Sequence, residues 1–111
     1  MRLLLDACVL VPPVVRGALL AWAGAGGFAP LWSERILEEW ARAAERVHGD
    51  GAAARAEAAA MEARFPQARV TGWQALEDAA GLPDPADAHV LAAARAGAAD
   101  GIVTFNTRDF P

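Results

Sequence analysis

The sequence predicts an α/β fold built on a short parallel sheet. Two apolar runs lie near the ends of the chain, "RLLLDACVLV" at residues 2–11 and "DGIVTF" at residues 100–105, and helical patterns fill the segments between them. Uninterrupted apolar runs are typical of strands that are buried on both faces, as strands of parallel sheets are. The order of strand, helices and strand therefore favours a parallel sheet with helices packed on its faces.

Local signals place the elements between the two runs. Two prolines open the first helix and "GAGG" ends it, Ser33 is a suitable N-cap for the second helix, and the alanine-rich third has a strong helix propensity. The segment "FAPLW", at residues 28–32, is too short to assign. We predict a short strand at residues 68–70 and helices at residues 14–23, 34–47, 52–65, 73–80 and 85–98.

Composition limits the class of protein. A chain of 111 residues suits one domain with a real core, and its net charge of −4 argues against broad nonspecific binding to nucleic acid. A local patch formed from its ten arginines could still bind phosphate. The single cysteine, Cys8, excludes an intrachain disulfide and a multi-cysteine zinc site. Asp6 interrupts any signal-peptide pattern and no run is long enough to span a membrane, so we expect a cytoplasmic protein.

Acidic and amide side chains follow the two predicted strands. Asp6 ends the first apolar stretch, and Asn106 and Asp109 follow the last one. Ligands of parallel sheets bind beyond the carboxyl ends of the strands, so chemistry is expected there. A structural alternative for Asp6 is to cap the next helix or to pair with Arg16, and the alternative for Asn106 and Asp109 is a turn after the strand.

One glutamate of the second helix differs from its neighbours. Glu39 flanks the apolar stripe, at spacings of three and four from Ile36 and Ala43, whereas Glu38 lies nearly opposite the stripe and is predicted to be solvated. The predicted stripe comprises Ile36, Leu37, Trp40, Ala43, Ala44 and Val47.

Two aspartates open the last helix. Asp84 suits the N-cap position, with Pro85 as the first helical residue. Asp87 is the third helical residue and could simply favour the helix dipole, but it also lies in line with Val90 and Leu91 on the apolar side. An acid at that place is costly unless a cation meets it. Oxygen ligands that converge from several elements suit Mg²⁺ or Mn²⁺, and such sites position water and phosphate, so the substrate class indicated is a phosphodiester.

The polar residues singled out above lie in four blocks of the sequence, "LLLDACVLV", "LWSERILEEW", "DPADAHVLAAA" and "GIVTFNTRDFP". In order and approximate spacing these blocks resemble the motifs of PIN-domain nucleases, and the likeness is greatest to VapC-like toxins of bacterial toxin–antitoxin pairs. The resemblance implies a PIN-like (Rossmann-like) three-layer α/β domain, with a short parallel sheet flanked by helices. It also implies an acidic pocket that holds Mg²⁺ or Mn²⁺ and cleaves single-stranded RNA endonucleolytically.

The resemblance assigns roles by motif. Asp6, Glu39 and Asp87 would be the catalytic acids and metal ligands, with Asp84 as a supporting acid or cap. The fourth position, often aspartate in the family, falls on Asn106, whose amide offers an oxygen but no charge. Asp109 could compensate as a further metal ligand.

The family likeness also bears on domain extent. It predicts a single PIN-like domain over residues 1–111. Relatives usually continue beyond the "DFP" block with another strand and helix, so we expect a chain ending at Pro111 to lack them.

The likeness further implies three kinds of partner: single-stranded RNA, a cognate antitoxin protein and a second copy of the chain. The candidates for RNA contact are Arg16, Arg35 and Arg108, with solvation or ion pairing as their structural alternative. A homodimer could use the region of Trp22, Phe28 and Trp32, unless these aromatic side chains belong to the core.

The main alternative is a PIN-fold protein that binds but does not cut, favoured by Asn106 and by the short C-terminus. Two phosphatase hypotheses do not fit the sequence. The interval from Cys8 to Arg16 is longer than that of a phosphate loop, and Cys8 occupies the place where a haloacid-dehalogenase-like enzyme has its second aspartate.

Overall fold

The structure of the protein is a computed structural model that describes residues 1–77 and 85–105, with side chains in the second range from Ala88 onward. Four strands and six helices are described. The strands are β1 (Arg2–Leu5), β2 (Ala29–Ser33), β3 (Arg69–Val70) and β4 (Gly101–Val103). The helices are α1 (Ala7–Leu10), α2 (Pro13–Gly24), α3 (Glu34–His48), α4 (Gly51–Arg64), α5 (Gln74–Glu77) and α6 (Pro85–Ala96).

The strands form one parallel sheet in the order β3-β2-β1-β4. Leu4 of β1 lies beside Leu31 of β2 and Ile102 of β4, so β1 is enclosed between two strands. Leu4 and Leu5 are fully buried under the flanking helices. The predicted α/β fold class, a parallel sheet flanked by helices in three layers, is confirmed. All four strands therefore end at one edge of the sheet, which is where Asp6 lies.

The first apolar run is not one long strand. The chain leaves the sheet after Leu5, and residues Ala7–Leu10 form α1 instead. The Asp6 side chain accepts the N–H of Ala7 at 2.8 Å and so caps this short helix. The capping alternative considered for Asp6 is thus one part of its role.

Strand β2 forms from the segment that was too short to assign. The N–H of Ala29 donates to Met1 on the β1 side, and the N–H of Trp32 donates to Ala68 on the β3 side. Because successive N–H groups of a strand alternate in direction, an N–H at Pro30 would point to the β3 side. The two-residue strand β3 does not reach that far, so proline is tolerated there.

Strand β4 was predicted to be buried, but its side chains are half-buried because it is the edge strand of the described sheet.

Helix α3 largely follows its predicted face. Ile36, Leu37, Trp40 and Ala44 are buried as expected, but Val47 is 62% exposed. The buried stripe turns toward Ala41 instead, because α4 packs there. A Cβ at Gly51 would lie 2.9 Å from the Cβ of Glu45 and 3.3 Å from the carbonyl oxygen of Ala41, so only glycine permits this approach.

The three aromatic residues suggested for a dimer surface separate into two groups. Phe28 and Trp32 are buried in the core, so that prediction is wrong for both. Trp22 is 51% exposed and lies edge-on to Phe28, with ring centroids 5.1 Å apart.

No helix in the described part of the chain is long and apolar enough to cross a membrane.

The N-cap of α3 provides a test of this architecture. The buried hydroxyl of Ser33 accepts the N–H of Ile36 at 3.1 Å. Ser33→Ala should lower the free energy of unfolding by about 1–2 kcal/mol, because that amide loses its acceptor. Urea unfolding followed by tryptophan fluorescence measures the change.

The control for this substitution is Asp50→Ala. Asp50 occupies the N-cap of α4, but its side chain makes no capping hydrogen bond. Its replacement should change the free energy of unfolding by less than about 0.5 kcal/mol. Equal losses in the two variants would contradict the capping role of Ser33.

Candidate active site

Asp6 is a nearly buried carboxylate at the carboxyl end of the enclosed strand β1, with 8% of its surface exposed. Its backbone N–H donates to the carbonyl of Val103, which continues the β1–β4 ladder by one residue. Its Oδ1 accepts the N–H of Ala7, and its Oδ2 accepts the hydroxyl of Thr104 at 2.9 Å. The side chain is therefore fixed by two elements at once, the start of α1 and the end of β4.

No arginine or histidine among the described side chains lies within ion-pair distance of Asp6; the described ion pairs involve other acids. The pairing with Arg16 that was considered as an alternative does not form. A buried, ionised carboxylate is expensive without a cation or hydrogen-bond donors, and the three donors to Asp6, from Ala7, Thr104 and Cys8, occupy only part of its acceptor capacity. The site is thus suited to a further cationic partner.

Thr104 and Cys8 complete the surroundings of Asp6. The thiol of Cys8 donates to Oδ2 of Asp6 at 3.7 Å and lies 3.5 Å from the hydroxyl oxygen of Thr104, and its sulfur accepts the N–H of Phe105 at 3.3 Å. Thr104 was not among the predicted site residues. The sequence offers only a hydroxyl residue directly after the last apolar strand as a signal, because the register of Thr104 with Asp6 follows from the strand pairing.

Glu39 contacts a histidine that the sequence analysis did not single out. Oε1 of Glu39 lies 2.8 Å from Nε2 of His89, which is fully buried on α6. The prediction that Glu39 flanks the apolar stripe agrees with its half-buried position. The tilted ring of Trp73 packs against His89, with ring centroids 5.9 Å apart.

Glu38 and Glu39 are neighbours with opposite environments. Arg55 makes a bidentate pair with Glu38, and Arg42 donates to the same carboxylate at 3.1 Å. These hydrogen bonds, that of Arg55 first, hold the pKa of the Glu38 carboxyl at about 2. Glu38 is thus a neutralised surface acid, whereas no described arginine contacts Glu39.

A cleft of about 580 Å³ opens beside these residues. Arg35 lines it and is paired with Glu77 at 3.0 Å, which ties α3 to α5. The lining consists of Glu34, Arg35, Glu38, Glu39, Arg42, Trp73 and Gln74. Glu39 therefore lies between the buried His89 and an open, polar cleft.

Arg16 is largely enclosed by the helices. Its guanidinium donates to the carbonyls of Leu10 at 2.6 Å and Val11 at 3.4 Å, and it lies 4.9 Å from the ring centroid of Trp40. Glu57 approaches it at 3.9 Å. These contacts join the end of α1 to α3, so the structural alternative for Arg16 has direct support.

Several predicted site residues lie outside the described part. Asp84, Asn106, Arg108 and Asp109 belong to residues 78–84 and 106–111, and of Asp87 only the backbone position in the first turn of α6 is described. Among the side chains that are described, no group of three His, Cys, Asp or Glu could hold a metal ion by itself. The complete set of metal ligands that the motifs imply therefore stays a prediction.

The chain matches the family model of the PIN domain over residues 2–108. It therefore belongs to the PIN-domain family, whose members are generally nucleases that use divalent metal ions. No curated protein and no solved structure matches the chain. Family membership thus indicates a nuclease-type function.

The contacts of Arg16 lead to a stability prediction. Arg16→Ala should lower the free energy of unfolding by about 2–3 kcal/mol, because two carbonyls lose their donor and Trp40 loses a cation–π contact. Arg46→Ala, in the exposed last turn of α3, should change it by less than about 0.5 kcal/mol. Urea unfolding of both variants gives the comparison. An Arg16→Ala protein of unchanged stability that binds RNA less tightly would instead support the RNA role.

Proposed function

We propose that the protein is a metal-dependent endoribonuclease that cleaves single-stranded RNA and acts as the toxin of a toxin–antitoxin pair. The observation that supports this most directly is the nearly buried carboxylate of Asp6, which has no described cationic partner and lies at the carboxyl edge of a parallel sheet. Carboxylate oxygens are the ligands that Mg²⁺ and Mn²⁺ prefer. Membership of a nuclease family makes RNA hydrolysis the natural use of such a site.

The residues proposed to hold the ion are Asp6, Glu39 and Asp87, with Asp84, Asn106 and Asp109 as supporting ligands. Asp6 fits this role because Oδ1 accepts one hydrogen bond, from Ala7, and keeps a lone pair for a cation, while Thr104 and the thiol of Cys8 orient Oδ2. A bound divalent ion would lower the pKa of water and offset negative charge on phosphorus. The ion and the acids together form the proposed catalytic centre.

The chain's own side chains would supply positioning and proton transfer. Either Glu39 or Asp87 would accept the proton of the attacking water as its oxygen bonds to phosphorus. The bond from phosphorus to the leaving sugar oxygen breaks, and that oxygen takes up a proton from solvent. Thr104 would keep Asp6 oriented throughout, because its hydroxyl holds Oδ2.

Arg35 and Arg108 are the arginines we propose for RNA contact. Arg35 lines the cleft beside Glu39, and its pairing with Glu77 leaves guanidinium donors for phosphate. Arg16 is a weaker candidate, because two carbonyls and Trp40 already occupy its guanidinium. A cognate antitoxin would block the same site by placing an arginine among the carboxylates, where a bidentate pair could replace the metal ion.

We also propose a homodimer, through the exposed side of α2. This helix is apolar around its whole circumference, since its one charged residue, Arg16, turns toward Trp40. Val14 is 84% exposed, and Val14, Ala18 and Trp22 follow one another at intervals of four. A two-fold axis at Ala18 would set Trp22 of each copy over Val14 of the other, with small side chains between them.

RNA cleavage tests the enzymatic proposal. Wild type should cut single-stranded RNA only with Mn²⁺ or Mg²⁺, and Asp6→Asn, Glu39→Gln and Asp87→Asn should each lower the rate by at least about 100-fold, because each removes a charged ligand or base. Glu38→Gln is the matched control, because it alters the adjacent carboxylate, which the arginines already neutralise. Its cleavage rate should stay within about threefold of wild type.

Two results would count against the enzyme. Residual cleavage that is equal in wild type and the three acid variants would show a contaminating activity. Metal-independent RNA binding by wild type without cleavage would favour the alternative, a PIN-fold binding protein. Circular dichroism of each variant verifies that the fold is intact.

The dimer proposal has its own test. Light scattering after gel filtration should give a dimer for wild type and a monomer for Ala18→Glu, because the charge would be buried at the two-fold axis. Ala18 is exposed, so the monomer itself should tolerate the change. Val47→Glu alters another exposed apolar residue, on α3, and should stay dimeric. A monomeric wild type, or a dimer in all three proteins, would contradict the role of α2.

A further inference from the structure

His89 is a fully buried polar side chain without a satisfied hydrogen bond among the described residues. Two other polar side chains are buried with it in the described part of the chain, and both have aligned hydrogen-bond partners: Ser33 accepts the N–H of Ile36, and Asp6 accepts three donors. Neither ring nitrogen of His89 has an aligned partner there. Buried polar groups are rarely left in this state, so the position of His89 calls for a specific use.

The described polar contact of His89 is with Glu39, one of the proposed metal ligands. Nε2 of His89 lies 2.8 Å from Oε1 of Glu39, a hydrogen-bond distance, although the ring is not aligned for the bond. The ring of Trp73 packs on His89 at 5.9 Å between centroids and helps to fix its plane. An aligned bond requires the Glu39 oxygen to lie near the ring plane, where the N–H of Nε2 points.

The contact involves one oxygen of Glu39. The described side chains give its Oε2 no hydrogen bond, and Glu39 lines the open cleft. A carboxylate held at one oxygen by a rigid, buried donor keeps the other oxygen in a defined direction. Replacing a group that orients a metal ligand in this way typically lowers metal affinity or activity by about 10–100-fold.

We infer that His89 is a positioning residue that holds the carboxylate of Glu39 for the divalent ion, through Nε2 and Oε1. This inference rests on the proposed function, since it takes Glu39 as a metal ligand. His89 itself does not touch the substrate or the ion. Its role is to restrict the orientations of Glu39, so that binding the ion costs less side-chain entropy.

The experiment measures Mn²⁺ binding by calorimetry without RNA, so that it does not depend on turnover. His89→Leu fills the buried space without a donor, and its Kd for Mn²⁺ should rise by about 10–100-fold. His89→Gln offers an amide N–H near the position of Nε2 and should stay within about threefold of wild type. His48→Leu, on the exposed end of α3, is the matched control and should bind like wild type.

A double-mutant cycle separates positioning from a general effect on stability. In the Glu39→Gln background, His89→Leu should cause no further loss of Mn²⁺ affinity, because the group it positions is already changed. Wild-type affinity in His89→Leu, equal weakening in the leucine and glutamine variants, or an undiminished effect in the Glu39→Gln background would each overturn the inference.

The same measurements distinguish this inference from the proposed function. A wild type that binds Mn²⁺ and shows the His89 pattern but cuts no RNA would refute the nuclease and leave the positioning role standing. A wild type that cuts RNA through Asp6 and Glu39, with His89→Leu binding Mn²⁺ normally, would refute the positioning role alone. A wild type without Mn²⁺ affinity would refute both.

Discussion

The structure depends on placing an ionisable side chain, Asp6, at the end of a strand whose preceding residues are fully buried. Leu4 and Leu5 have no exposed surface, so the chain enters Asp6 from the interior of the sheet. An ionised carboxylate at that depth is unstable without compensation, and the effective cost of removing an ion from water is several kcal/mol. The amide of Ala7 and the hydroxyl of Thr104 supply part of the compensation. The parallel register supplies the second donor, because it ends β4 beside β1.

Helix α3 shows how two neighbouring glutamates come to have different partners. Glu38 faces Arg42 and Arg55, which hold its pKa at about 2 and neutralise its charge. Glu39 is turned about 100° away from Glu38 around α3, toward α6, where the described contact is a buried histidine. One residue of helical rotation therefore separates a surface ion pair from a carboxylate that is available for a ligand. The helical spacing predicted that the two glutamates differ, but it predicted a solvated Glu38, whereas both side chains are 35% exposed and Glu38 is paired with arginines.

Sequence reasoning succeeded where a local pattern determines the outcome. The apolar run before Asp6, the helical stripe beside Glu39 and the N-cap at Ser33 each predicted what the structure has. Reasoning failed where tertiary contacts decide: β2 exists because β1 and β3 flank it, and Val47 is exposed because α4 packs on the side of Ala41. Thr104 and His89 were missed for the same reason. A threonine after a strand and a histidine in an apolar helix are ordinary in sequence, and only their partners, 98 and 50 positions away, make them notable.

The two described acids are unequal, and the difference favours distinct roles within the proposed site. Both oxygens of Asp6 accept hydrogen bonds from groups fixed by the backbone or by a neighbouring strand, so the carboxylate is held in one orientation. Glu39 is half-buried, contacts His89 through one oxygen and reaches the cleft from a helix. A rigid ligand fixes the position of an ion, whereas a proton acceptor has to meet a water molecule that enters with the substrate. Both acids are proposed ligands of the ion; Asp6 is the more rigid anchor, and Glu39, which contacts His89 through one oxygen, is the better candidate to accept a proton with the other.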